Sequence, residues 1–184
     1  MASVLVTISP VLSSILIFDK NSPLVGYFWR ILTCHLVHFS PTHLAYNVFT
    51  FGIGGYLIEK ENYPHFGLLL LWLSLFISIS LFTLKPDMNY YGGLSGIACG
   101  TLYYCALMGL KESRPWQTVC LLMLLFLPIK IAVEIYKNSS ILPYQEHQLF
   151  IPMQTSHIVG CLGAVLFYHC SKKKNYLPIP PSLR

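Results

Sequence analysis

The sequence predicts an all-α integral membrane protein, a bundle of six transmembrane helices joined by short links, and three observations predict it. Of 184 residues, 54% are hydrophobic and 10% charged, whereas a soluble domain carries about 25% charged residues. The mean hydropathy is +0.58. The apolar residues gather in long runs between turn signals, without the period-2 alternation of a barrel strand. So much apolar surface exceeds what a core of this size hides, and lipid takes up the remainder.

The spans follow in order: 3–18, 42–59, 65–84, 93–110, 116–136 and 153–170. A span needs roughly 20 residues, so the first is short. No Lys or Arg precedes Lys20, which deprives that segment of the basic start of a secretory signal and makes a retained span the expectation. Asp19-Lys20-Asn21-Ser22-Pro23 ends it, and Lys85-Pro86-Asp87 ends the third span. Residues 111–115 part the fourth span from the fifth, and 138–152, with two prolines, reads as a structured external loop. The stretch 24–39 holds Trp29, Arg30, His35 and His38 among apolar residues. It is too polar to span and too apolar for a free loop, so it is expected to lie in the interface with Trp29 as an anchor. Residues 1–171 form the membrane domain, and 172–184 a basic, proline-containing cytoplasmic tail.

Charge gives the orientation. One side receives Lys60, Lys111, Arg114, Lys172, Lys173, Lys174 and Arg184, and the other Lys20, Arg30, Lys85 and Lys137. The excess puts both termini in the cytoplasm. The net charge of +5 favours an anionic lipid surface over nucleic acid, because no basic stripe interleaved with aromatics runs along a helix. The six cysteines contain no C-x-x-C pair, so they are expected as buried single thiols.

Three places put polar groups where an apolar helix opens. Gly93-Leu94-Ser95-Gly96 sets a serine at the start of the fourth span. His43 and Asn47 share one face of the second, where Ser40 suits the cap and Pro41 the first helical position. His157 stands early in the sixth, which Pro152 is placed to open. With alternating helices, all three open at the same membrane face. Each has a plainer explanation when taken alone. The serine can be a cap, and the histidines and asparagine interhelical contacts worth about 0.6–2 kcal/mol. Two small-residue ridges, Gly96 with Gly100 and Gly160 with Ala164, tilt the balance, since facing ridges would bring Ser95 to His157. Imidazole would then serve as base for the hydroxyl, with the Ser95 N–H, His43 and Asn47 as oxyanion donors. Lys130 and Glu134, four apart in the fifth span, would each cost about 2.5–3.5 kcal/mol at the bilayer centre. They read first as a structural clamp and second as a contact to the substrate tail.

Trp29-Arg30, His38-Phe39-Ser40-Pro41-Thr42-His43-Leu44-Ala45-Tyr46-Asn47, Gly92-Gly93-Leu94-Ser95-Gly96 and His157-Ile158-Val159-Gly160 resemble the ordered landmarks of rhomboid intramembrane serine proteases. The resemblance implies a rhomboid-like bundle with an interfacial first external loop. It makes Ser95 the nucleophile and His157 its base in a dyad without a third carboxylate. His43, Asn47 and the Ser95 N–H line the oxyanion hole, and Gly93, Gly96, His38 and Gly160 support the site. The small size and the Lys130/Glu134 pair are most similar to the rhombosortase branch. That branch implies a bacterial inner membrane and a site open to the periplasm. Its substrates are membrane-anchored proteins with a C-terminal tail of Gly-Gly motif, apolar helix and basic residues, presented with or without a companion membrane or periplasmic protein. Cys99 stands where the family often carries a larger ring, which bears on the packing of the His157 ring.

Other classes make different demands. A general rhomboid protease would cut other transmembrane segments. A non-catalytic relative that binds membrane helices characteristically lacks the serine or histidine, and this chain has both. A haem or metal carrier could draw on His35, His38, His43, His157 and His169, yet H-E-x-x-H is absent from the sequence. No cofactor and no metal are expected.

Overall fold

The computed structural model describes residues 1–21, 28–141 and 153–172. Their helices are α1 (Ala2–Ile8), α2 (Pro10–Leu16), α3 (Arg30–Thr33), α4 (Pro41–Lys60), α5 (Phe66–Leu84), α6 (Ser95–Gly109), α7 (Trp116–Lys137) and α8 (Gln154–Lys172). Two of them, α5 and α7, are long and apolar enough by themselves to cross a membrane.

The boundaries follow local chemistry. Ser40 caps α4, its Oγ accepting from the His43 N–H at 3.1 Å, and Pro41 follows at the position that needs no N–H. The predicted opening of α8 by Pro152, most of the external loop, and Lys173, Lys174 and Arg184 lie outside the described residues. The first predicted span is not one helix. Ser9 leaves the helical region and accepts from the Leu12 N–H at 3.4 Å, with Pro10 next, so α1 ends and α2 restarts inside the apolar run. A proline that lacks an N–H cannot continue the α1 ladder.

Residues 28–39 sit against the bundle. Arg30 donates to the Ser14 and Ile15 carbonyls at 3.1 and 3.0 Å, and Trp29 donates to Ile15 at 3.4 Å, which satisfies the C-terminal end of α2 with a cation. Lys20 does the same for α5, reaching the carbonyls of Phe82, Lys85 and Pro86. A two-residue antiparallel pairing, β1 (Phe18–Asp19) with β2 (Tyr90–Tyr91), ties the end of the N-terminal segment to the approach to α6. This short ladder departs from the purely helical expectation.

The core centres on α6, which packs against α4, α5, α7 and α8. The predicted ridges face each other across α6 and α8. A Cβ at Gly100 would stand 2.8 Å from the Gly160 carbonyl oxygen, and one at Gly96 equally close to that of Ser156. A Cβ at Gly160 would collide with the Gly96 carbonyl outright. Backbones this close exclude any larger residue. Trp72 on α5 fixes the far side of α8, donating to the Gly163 carbonyl at 2.9 Å. Cys34, Cys99, Cys105, Cys120 and Cys161 are buried single thiols, while Cys170 is exposed.

Candidate active site

Ser95 is the first residue of α6 and is half-buried. The first N–H groups of a helix have no partner inside it, so its own amide and those that follow point out of the same end as the hydroxyl. Gly93 permits the sharp entry to that end, with φ at +133°, and a Cβ there would stand 3.0 Å from His43 Cε1. The loop is held by residues of the segment that precedes α4. His35 is buried between the Gly93 carbonyl at 3.4 Å and, on α5, the Ser74 carbonyl and Ser78 hydroxyl, both at 3.1 Å. His38 accepts from the Leu94 N–H through Nε2 at 3.4 Å, which leaves Nδ1 to donate to the Leu36 carbonyl at 3.1 Å. Burial pushes the His38 imidazole down to about 4, so it stays neutral and keeps that acceptor at neutral pH.

Beside Ser95 lies a cavity of about 460 Å³ between α4 and α7, with α6 and α8 behind it. Ser95, Asn47, His157, Cys99 and Lys130 line it, and almost all the rest of the wall is apolar. The structure thus brings together three of the predicted groups, from three helices far apart in sequence. Asn47 is buried, and its Nδ2 has no hydrogen-bond partner among the described residues. A buried amide donor costs about 1–3 kcal/mol when unsatisfied, so a donor kept unoccupied on this wall suits a negative charge that exists only during reaction. His43, one turn earlier on α4, is buried beside Gly93, its ring 5.0 Å from that of His38 and stacked at 6.4 Å on Phe39. A Cβ at Gly93 would stand 3.3 Å from its Nε2 and 4.0 Å from Asn47 Nδ2, so both side chains flank the turn that leads into Ser95.

Lys130 and Glu134 do pair, at 2.9 Å. The sequence reading missed where the carboxylate goes next. Glu134, 1% exposed, turns its Oε2 to His157 Nδ1 at 3.3 Å, and its Oε1 accepts the Ile141 N–H at 3.3 Å. A histidine whose Nδ1 donates to a carboxylate keeps Nε2 as its basic nitrogen. This differs from the two-residue arrangement expected above. The i, i+4 spacing signalled a pair on one face of α7, but nothing local in the sequence says that this face meets α8.

Chemically, the arrangement offers a hydroxyl at a helix N-terminus, an imidazole with a carboxylate behind it, and an unpartnered amide donor in an apolar enclosure. Those are the parts of acyl transfer by a serine nucleophile. No curated protein matches the chain. Residues 25–174 match the rhomboid domain family, and the chain, matched over most of its length, belongs to that family, whose members are membrane-embedded and generally intramembrane serine proteases.

Proposed function

We propose that the chain is an intramembrane serine endopeptidase of the rhombosortase kind. It removes the C-terminal sorting tail, a Gly-Gly motif followed by an apolar helix and basic residues, from exported proteins. The observation that carries the reading is that Ser95, His157 and Asn47 line a single, largely apolar cavity. Such an enclosure receives an unwound stretch of membrane helix and strengthens every dipole aimed into it. Ser95 Oγ attacks the scissile carbonyl while His157 Nε2 takes its proton. The tetrahedral oxyanion is held by Asn47 Nδ2 and the Ser95 N–H, with His43, beside Gly93, as the third donor. The C–N bond then breaks, the imidazolium protonates the leaving amine, and the acyl group remains on Ser95 until water or a lipid amine attacks with His157 again as base.

The family resemblance supports the setting: six membrane-crossing segments in the bacterial inner membrane, both termini cytoplasmic, and a site open to the periplasm. In this arrangement α1 and α2 together make the first crossing. Lys130 belongs to the cavity wall, which keeps a contact to the substrate tail open as its second role. The general rhomboid alternative differs only in substrate.

Co-expression with a protein bearing the tail tests the proposal. Wild type is expected to release a shortened product, and Ser95→Ala or His157→Ala to lower the rate by about 10⁶-fold, to background, with insertion intact. The intact mass of the product reports the acceptor: the bare hydrolysis product for water, a larger mass for transfer. A tail cut equally by Ser95→Ala sinks the reading.

A further inference from the structure

The Lys130–Glu134 pair presents a puzzle. Both residues stand on α7 at i, i+4, so the ion pair by itself fastens no second helix. An apolar pair would serve that face of α7 at no desolvation cost. Among the described residues, what reaches beyond α7 is the Glu134 carboxylate: Oε2 to His157 Nδ1 on α8 and Oε1 to the Ile141 N–H. Its two oxygens are thereby assigned. Lys130 and the Ile141 amide hold Oε1 from one side, and Oε2 is left directed at the imidazole. Glu134 is 1% exposed while Lys130 reaches the cavity wall, so the carboxylate stands behind the histidine and away from the space a substrate would fill.

We infer that Glu134 is a positioning residue for His157, held in place by Lys130, and completes a serine–histidine–carboxylate relay inside the membrane. This rests on the protease reading above. Two physical effects follow. The carboxylate accepts the Nδ1 proton, which fixes the tautomer with Nε2 basic and stops the ring from turning. Once His157 takes the Ser95 proton, the imidazolium lies beside a carboxylate already desolvated and oriented, so little reorganisation accompanies the charge. Lys130 serves a separate need. A buried carboxylate without a cation would be costly in the resting state, when His157 is neutral. The ammonium compensates it there, from the side opposite the ring.

The test uses the full chain in detergent, with Ser95 phosphonylation by a fluorophosphonate, which releases fluoride, and ¹⁵N NMR of histidine-labelled protein. Wild type is expected to show His157 as the Nδ1–H tautomer. Glu134→Gln should shift His157 toward the Nε2–H form and slow Ser95 labelling by about 10²–10⁴-fold. Lys130→Met with Glu134→Gln removes both charges while keeping side-chain length, so it guards against misfolding from a stranded ammonium. It is expected to melt near wild type and stay as slow as Glu134→Gln alone. Glu134→Asp, a carboxylate on a shorter stem, should regain part of the rate. Recovery of fast labelling by the double variant would leave only a clamp, and an Nε2–H tautomer in wild type would overturn the proposal directly. A wild-type chain in which Ser95 resists the probe removes the protease reading and the relay with it. A labelled wild type with unaffected Glu134 variants removes the relay alone.

Discussion

The two sides of α6 are built on opposite principles. Toward α8 it is glycine against carbonyl, with Gly96, Gly100 and Gly160 bringing the backbones into van der Waals contact and Ala164 wholly buried. Toward α4 and α7 it faces a cavity walled by long side chains, some of which, Phe126 and Ile129 among them, are exposed at the rim. Ser95 and His157 stand where the two sides meet: they adjoin Gly96 and Ser156 at the end of the seam, and both line the cavity together with Asn47. A nucleophile and its base must keep their separation to within a fraction of an ångström through the reaction. A backbone-to-backbone seam holds that distance better than rotatable side chains do. The substrate's side has the contrary requirement, space, and it is made of groups that can move aside.

Three substitutions would break or sharpen this contrast. Gly160→Leu has the largest expected effect, because its side chain has no room against the Gly96 carbonyl. Separating α6 from α8 should lower stability by about 3 kcal/mol and remove fluorophosphonate labelling, both read on purified protein. Asn47→Ala strikes the open side. It should lower cleavage by about 10²–10³-fold, the worth of one oxyanion donor, and leave the melting temperature unchanged or raised, since the buried Nδ2 has no partner among the described residues. A matching fall in stability would show that Asn47 is structural. Phe126→Ala, at the 65%-exposed rim, should be mildest. Stability should stay within about 0.5 kcal/mol, with a few-fold change in KM measured on a tailed substrate. If Phe126→Ala destabilised the chain as Gly160→Leu does, the division into a rigid and an adaptable side would be wrong.

Much of this was legible in the residues, for identifiable reasons. The third predicted span and α5 differ by one residue, because Pro64 with His65 and Lys85-Pro86 punctuate a continuous apolar run. The cap at Ser40 and the facing ridges could be read because capping and close approach each demand particular small or polar residues at fixed spacing. The break in the first span was also written there, in Ser9-Pro10, but the apolar run on both sides hid it. That His43 and Asn47 share a face of α4 could be read, and both come within 4.0 Å of the Gly93 Cβ position. That the His43 ring also packs on His38 and Phe39 could not, since those contacts depend on how the preceding loop folds back. Nor could the Glu134–His157 contact be read, since the rotation of α7 relative to α8 is a tertiary quantity with no local signature.

The cations at the ends of α2 and α5 bear on how such a chain tolerates its own topology. Lys20 and Arg30 run against the charge census, being carried across the bilayer in the orientation proposed. Each arrives opposite exposed peptide oxygens at a helix terminus, Lys20 at 82, 85 and 86, Arg30 at 14 and 15. What counts as a penalty during insertion becomes, in the finished protein, the fastening of two helix ends.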